Sequence, residues 1–477
     1  MAELGTDFCQ FKSPDPVTDP YLVNFSPEGA SLLGLTPDCV NDPDFVQIFS
    51  GNQELPGSRP LAMAYSGHQF GSYNPRLGDG RGLLLTEIDA GHGSWDVYLK
   101  GCGPTRFSRG FDGRATLRSS IREYLAGEAL HALGVPTTRA LALIGIRDLI
   151  YRQRPELAAI VVRLSDSHIR FGSFEFFHYT NQPDKTTRLL DYTIEKQFSE
   201  FASLPDKYLL FFREVIKRTA TMIALWQSVG FVHGVMNTDN MSITGATFDY
   251  GPFGFIDRFN PHFSPNSSDH NGRYAYGQQP EIGHWNLGKL GETLTHLIDP
   301  DDLESELKNY QPVYNQTLKE LFGRKLGLQA LDESFSDLVG RMFNLLSKSQ
   351  ADFTNFFRLL AEYPEGSWQD LNNYFDDKAA LDEWLNLYKK LIDREGEDFA
   401  DRNQAMNQVN PRFILRNHLL ERAISKALQQ SDFSEVERLR LLCLNPFDNA
   451  PGDWDETDIY FDDTPQSFVE WRLSCSA

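Results

Sequence analysis

The sequence predicts a two-lobed α+β fold, a β-rich N-terminal lobe with one inserted helix followed by a mainly helical C-terminal lobe. Strand-like runs separated by turn residues crowd into residues 82–164, a single helical period interrupts them at 115–133, and helical patterns dominate from 287 to 445. The chain has 477 residues, 41% hydrophobic and 23% charged, an ordinary balance for a protein that buries a sizeable core.

Residues 1–60 are rich in Pro, Asp and Ser with short apolar pieces, and read as an irregular arm packed on the core. Residues 61–200 form the N-terminal lobe. Within it, strands at 82–88 and 95–100 flank the turn residues 89–94 and predict an antiparallel hairpin. The helix at 115–133 places Leu117, Ile121, Leu125, Ala129 and Leu133 four apart, with Gly134 beyond its end. Further strands are expected at 139–146, 149–152 and 158–164. Residues 201–300 open the second lobe with a long helix at 208–229, apolar on most faces and therefore buried, and continue into a loop-rich segment, 230–286. Helices follow at 287–297, 301–322, 331–347, 352–363, 379–393 and 412–429, so that 301–477 is a helical, acidic region ending in an aromatic tail with a cysteine.

Charge narrows the function classes. With 45 basic and 66 acidic residues the net charge is −21, which excludes a general nucleic-acid binder or a polybasic membrane clamp. No apolar run approaches the roughly 18–20 residues of a membrane span. The start, Met1-Ala2-Glu3-Leu4-Gly5, lacks the basic region and apolar stretch of a targeting peptide, so a cytoplasmic protein is expected. Cysteines at 9, 39, 102, 443 and 475 form no Cys-x-x-Cys pair and are expected to be reduced, Cys475 lying on the tail. Residues 76–170 invert the balance with 14 basic and 10 acidic residues, 13 of the basic ones arginine. Such an island suits either a small-anion site or ion pairing with the acidic remainder.

Leu77-Gly78-Asp79-Gly80-Arg81-Gly82 precedes a strand and fits either a tight turn or a loop whose backbone approaches phosphate. Lys100 ends a strand and Glu123 lies on the next helix, the spacing of a lysine–glutamate pair that holds nucleotide phosphates in protein kinases. After the long helix comes His233-Gly234-Val235-Met236-Asn237-Thr238-Asp239-Asn240, then Asp249-Tyr250-Gly251. Asn240 lies seven after His233, as the metal-binding Asn does in a kinase catalytic loop, and Asp249 takes the place of the Asp in Asp-Phe-Gly. An amide oxygen and a carboxylate suit a hard divalent cation. The kinase base would stand at Val235, which accepts no proton; Asp239 is the nearby carboxylate. Either the protein is a dead kinase or its base has moved with its chemistry.

These residues resemble the selenoprotein O (YdiU) family, protein nucleotidyltransferases on a protein-kinase-like fold. The resemblance runs from about Asn24 to the tail and rests on long motifs: Ser66-Gly67-His68-Gln69-Phe70-Gly71, the 77–81 loop, Asp112-Gly113-Arg114, 117–125, 167–174 and 233–240. It implies transfer of AMP from ATP, and for bacterial members UMP from UTP, to Ser, Thr or Tyr hydroxyls of proteins, with Mg²⁺ or Mn²⁺. The resemblance also implies a nucleotide turned end for end relative to a kinase, with the arginines neutralising its buried β,γ tail. By this resemblance Gly78, Gly80 and Arg81 line the glycine loop, Lys100 binds phosphate with Glu123 orienting it, and Asp112 and Gly113 contact the nucleotide. Arg163 and Arg170 hold the distal phosphates, Asp239 is the base, Asn240 binds metal, and Asp249 binds metal and nucleotide. Cys475 stands where some members have selenocysteine. The segment 262–269 lacks the cysteine that in some relatives bonds to the tail, so no such latch is expected. An ordinary phosphotransferase and a silent nucleotide-binding scaffold are the competing readings. Val235 and the added arginines oppose the first, and the full set of Lys100, Glu123, Asp239, Asn240 and Asp249 opposes the second.

Overall fold

The structure, a computed structural model, describes the chain apart from His92, Gly452, Asp453, Asp455, Glu456, Glu470 and residues 475–477. It is α+β, with a β-rich N-terminal sheet and a helical C-terminal part. The strands of the first half are β1 (Cys9–Phe11), β2 (Tyr21–Phe25), β3 (Leu61–Met63), β4 (Gly67–Gln69), β5 (Ser72–Asn74), β6 (Gly82–Asp89), β7 (Ser94–Lys100), β8 (Ala115–Thr116), β9 (Arg139–Tyr151) and β10 (Pro155–Ser165). Eight of them form one sheet in the order β1-β3-β6-β7-β10-β9-β2, with β8 paired to β10, while β4 and β5 make a separate hairpin.

Both faces of this sheet are covered, which explains why residues 158–165 of β10 are buried without interruption instead of alternating. One face, with Leu84, Tyr98, Leu143 and Val161, packs on Ile121 and Leu125 of the helix Leu117–Ala132. Thr116 caps that helix, its hydroxyl accepting from the Ser119 N–H at 3.1 Å. The other face, with Leu83, Val97, Leu99, Ile160 and Val162, packs on Ala30, Leu33 and Phe45. Residues 1–60 are therefore more regular than their composition indicates: they supply β1, β2 and the short helices Pro27–Leu32 and Phe45–Ser50. The two strands expected at 139–146 and 149–152 are one, β9, which pairs with β10 through two register shifts.

The helix Phe171–Tyr179 escapes periodicity analysis because its aromatic run is buried on most sides. The long helix Lys207–Val229 ends at Gly230, in the left-handed region at φ 71°, and leads into β11 (Phe231–Val232). That strand pairs antiparallel with β12 (Gly254–Phe255), so the two ends of the segment 233–253 are held together. The C-terminal part is helical from Gln279–Glu292 to Ser434–Leu444. Among the described residues no helix is long and apolar enough to cross a membrane.

Arg416 ties three parts of this half together. Its guanidinium lies 2.8 Å from Asp257, just after β12, and 2.9 Å from Asp352, which caps the helix Phe353–Ala361. The Thr464 hydroxyl of the tail donates to the same Asp257 carboxylate. All four residues are buried. Arg416→Met would leave two buried carboxylates without their cation and is expected to lower stability by about 3–5 kcal/mol in urea unfolding. An unchanged midpoint would show that the cluster contributes nothing.

Candidate active site

Sheet register builds the first half of the site. On β7 and β10, Lys100 stands opposite Val161 and Tyr98 opposite Arg163, so Lys100, Tyr98 and Arg163 share the face that meets the helix Leu117–Ala132. Glu123 of that helix is buried against them. Its Oε1 accepts from Arg163 Nε at 3.0 Å and Nη2 at 2.6 Å, and its Oε2 accepts from Lys100 Nζ. Burial pulls the Lys100 ammonium below its ordinary value while Glu123 pulls it back.

The second half comes from the segment between β11 and β12. Asp249 adopts a left-handed backbone, φ 59°, a conformation that Asp and Asn tolerate better than other side chains. Its Oδ1 accepts from Arg163 Nη2 at 2.7 Å and Lys100 Nζ at 3.4 Å, and its Oδ2 from Arg170 Nη1 at 2.7 Å. Burial pushes this carboxyl up, but Arg163, Arg170 and Lys100 together outweigh it and hold it well below the usual carboxylate range. Arg170 Nη1 also donates to the Asp239 carbonyl at 2.8 Å. Its guanidinium lies 4.2 Å from the ring centre of Tyr65 and 4.6 Å from that of Phe248, so its direction is fixed.

Asp239 and Asn240 sit on one 3-10 turn, Thr238–Asn240. Burial pushes the Asp239 carboxyl up to about 7, with Arg170 opposing. Asn240 Nδ2 donates to the Val235 carbonyl at 2.8 Å, so oxygen is the end of that amide open to a cation. His233 is structural: buried and stacked on Trp226, it faces the Phe248 carbonyl through Nε2 at 3.0 Å. Among the described residues no group of three or more His, Cys, Asp or Glu is placed to hold a metal ion alone. Asn240 and Asp249 carry the oxygen donors that a hard cation would take.

The glycine loop runs into β6, whose Gly82 stands opposite Lys100. Gly78 has φ 120°, and a Cβ there would lie 2.5 Å from the Phe107 ring. Thr105 Oγ1 donates to the Asp79 carbonyl at 2.6 Å, pinning the loop to its neighbour. Lys100, Glu123, Arg163, Arg170, Asp239 and Asp249 thus form one cluster, with Asn240 on the turn of Asp239 and Gly78, Gly80 and Arg81 on the loop leading in. Asp112 is placed differently. It is exposed and takes a bidentate contact from Arg152 at 2.7 and 2.9 Å, with Gly113 following it in the same loop.

Two contributors escaped the sequence reading. Gln69 Nε2 donates to Asp239 Oδ2 at 3.2 Å from the β4–β5 hairpin. Leu473 of the tail exchanges main-chain hydrogen bonds with Pro265 and Ser267, both 2.8 Å, and lines with Ser474 a cavity that also contains Arg81 and Lys100. Cys475 lies outside the described residues. Cys9, Cys102 and Cys443 are buried, Cys39 is half-buried, and all four are free thiols. A roomier cavity of about 720 Å³, between Asp257, Arg358 and Asp463, includes none of the cluster.

Cations gathered on one carboxylate, beside a second carboxyl that titrates near neutrality, equip a protein for transfer of a phosphate-bearing group. Residues 1–443 match the family described as protein adenylyltransferase SelO, and the chain belongs to that family. It is 47% identical over 480 residues to the protein nucleotidyltransferase YdiU of Myxococcus xanthus, covering 100% of this chain and 97% of the relative. The protein of the same name from Thioalkalivibrio sulfidiphilus is 46% identical over 484 residues, with 100% and 97% covered. That of Pseudomonas fluorescens strain Pf-5 is 44% identical over 482 residues, with 100% and 98% covered.

The raised Asp239 carboxyl makes a stability prediction. An unfolded Asp titrates near about 3.9 and the folded one near about 7, so the native state binds the extra proton between these values and loses stability as pH rises through that window. Asp239→Asn is expected to stabilise the nucleotide-free protein at about pH 8 by on the order of 2–4 kcal/mol, with little gain at about pH 4. Equal gains at both pH values in urea unfolding would contradict the cost of burying this carboxylate.

Proposed function

We propose that this protein transfers AMP from ATP to Ser, Thr or Tyr hydroxyls of other proteins, on a two-lobed kinase-like fold with the nucleotide turned end for end. In this reading residues 61–200 hold the phosphates, residues 201–300 supply the base and metal ligands, residues 1–60 brace the first lobe, and 301–477 extend the second. UTP is the alternative donor. The net charge of −21 favours protein acceptors over nucleic acid or membrane surfaces, and cytoplasmic action fits this reading.

The observation that carries the proposal is the bridge made by Arg170, which contacts the Asp239 main chain and the Asp249 carboxylate with one nitrogen. It sets the base beside the cation cluster. The β,γ tail of ATP replaces part of the carboxylate contact to Lys100, Arg163 and Arg170, which leaves the α-phosphorus facing Asp239. Asp239 takes the proton from the acceptor hydroxyl; the oxygen bonds to the α-phosphorus, the bond to the β-bridging oxygen breaks, and pyrophosphate leaves with its charge held by the three cations. Mg²⁺ or Mn²⁺ bound by Asn240 and Asp249 would neutralise phosphate oxygens. Val235, buried and apolar, rules out the base position of a kinase. Glu123 keeps Lys100 and Arg163 extended toward the phosphates. Asp112 and Gly113 contribute through the loop that Arg152 holds.

Intact mass of the protein and a generic acceptor after incubation with ATP and Mg²⁺ or Mn²⁺ tests this. A gain of about 329 Da, one AMP, absent in Asp249→Ala, is expected; a gain of about 80 Da would mean phosphoryl transfer and sink the reading. Arg163→Met is expected to lower kcat/KM for ATP about 10–150-fold, the worth of a charge-assisted phosphate contact.

A further inference from the structure

We propose that Gln69 is a positioning residue for the reaction: it holds the Asp239 carboxylate in its working orientation through a hydrogen-bond relay whose polarity is fixed by the β4–β5 hairpin. The inference rests on the reading of Asp239 as the base.

The hairpin is fastened to the catalytic turn at three successive residues. The His68 N–H donates to Thr238 Oγ1 at 2.7 Å, Gln69 Nε2 to Asp239 Oδ2 at 3.2 Å, and the Phe70 N–H to Asn237 Oδ1 at 3.3 Å. His68 is anchored in turn by Glu175, Nδ1 to Oε2 at 2.8 Å, and the Ser66 N–H donates to the Gly172 carbonyl at 3.0 Å. The hairpin therefore has one way to lie on the turn.

Its side chains also have one way to point. The Arg76 N–H donates to Asn74 Oδ1 at 3.0 Å, which commits Asn74 Nδ2 to donate. It donates to Gln69 Oε1 at 3.1 Å, which commits Gln69 Nε2 toward Asp239. An amide that could otherwise flip is thereby held with its N–H on the carboxylate. The second carboxylate oxygen is constrained by shape. Oδ1 is buried without a hydrogen-bond partner among the described residues, and a Cβ on Gly67 would stand 2.8 Å from it. Glycine at 67 lets the hairpin backbone close over Asp239, and Gln69 supplies the directional contact. The carboxylate of the base is thereby held in one orientation by a directional contact on one oxygen and by close packing on the other.

The test compares Gln69→Ala, Gln69→Glu, Asn74→Ala and Asp239→Asn by kcat, KM for ATP with casein as generic acceptor, and ATP Kd. Gln69→Ala is expected to lower kcat about 10–100-fold while ATP Kd stays within about twofold. Gln69→Glu keeps the size but puts an acceptor against Oδ2, and is expected to lose more. Asn74→Ala leaves Gln69 in place and frees its amide, with an expected loss of about fivefold, and serves if the Gln69 variants fail to fold. Full kcat in Gln69→Ala, or an ATP Kd weakened as much as kcat falls, overturns the inference. If Asp239→Asn retains full kcat, the base reading itself fails and this inference with it. If Asp239→Asn is inactive while Gln69→Ala and Asn74→Ala are unimpaired, only the positioning role fails.

Discussion

Everything in the site turns on the Asp249 carboxylate, which is half-buried and in contact with Lys100, Arg163 and Arg170 at once. Three cations packed this closely repel one another, and taking them out of water is costly unless anions are fixed among them. Asp249 and Glu123 are those anions. Arg163 bridges the two, Lys100 touches both, and Arg170 extends the set to the Asp239 main chain. Two carboxylates against three cations leave one net positive charge as long as the neighbouring Asp239 carboxyl keeps its proton, in a protein whose overall charge is −21. Each of the three cations thus has a carboxylate partner within the protein.

The fold supplies the rigidity that this arrangement requires. Lys100 and Arg163 are on adjacent central strands, so their spacing follows from antiparallel register, and Glu123 is on the helix packed over them. Residues 1–60 bury the opposite face of the same sheet, so the strands have packing on both sides. Asp239, Asn240 and Asp249 ride on a segment whose ends are joined by β11 and β12. Charged groups of opposite function are thus carried by separate rigid elements and meet only in the folded chain.

The sequence made some of this legible and hid the rest for identifiable reasons. The helix Leu117–Ala132 and the long helix Lys207–Val229 were visible because their apolar patterns and glycine stops are local. The segment carrying Asp239, Asn240 and Asp249 was visible because its spacing is local too. Arg163 and Arg170 stand out only as members of an arginine-rich stretch, and the roles proposed for them rest on the family resemblance. Gln69 was invisible as a partner of Asp239 because 170 residues separate them. β1 and β2, with 3 and 5 residues, are too short to show a period and owe their conformation to the sheet edges they complete. The helix Phe171–Tyr179 was missed because it is apolar on most sides.

The central claim is that the cation cluster receives the far end of the nucleotide and Asp239 faces its near end. A crystal structure with α,β-methylene ATP and Mg²⁺ tests it most directly, since that analogue cannot release pyrophosphate. The account predicts the γ-phosphate against Lys100 and Arg163, with the α-phosphate toward Asp239. A γ-phosphate directed at Asp239, with the α-phosphate against Lys100, would contradict it.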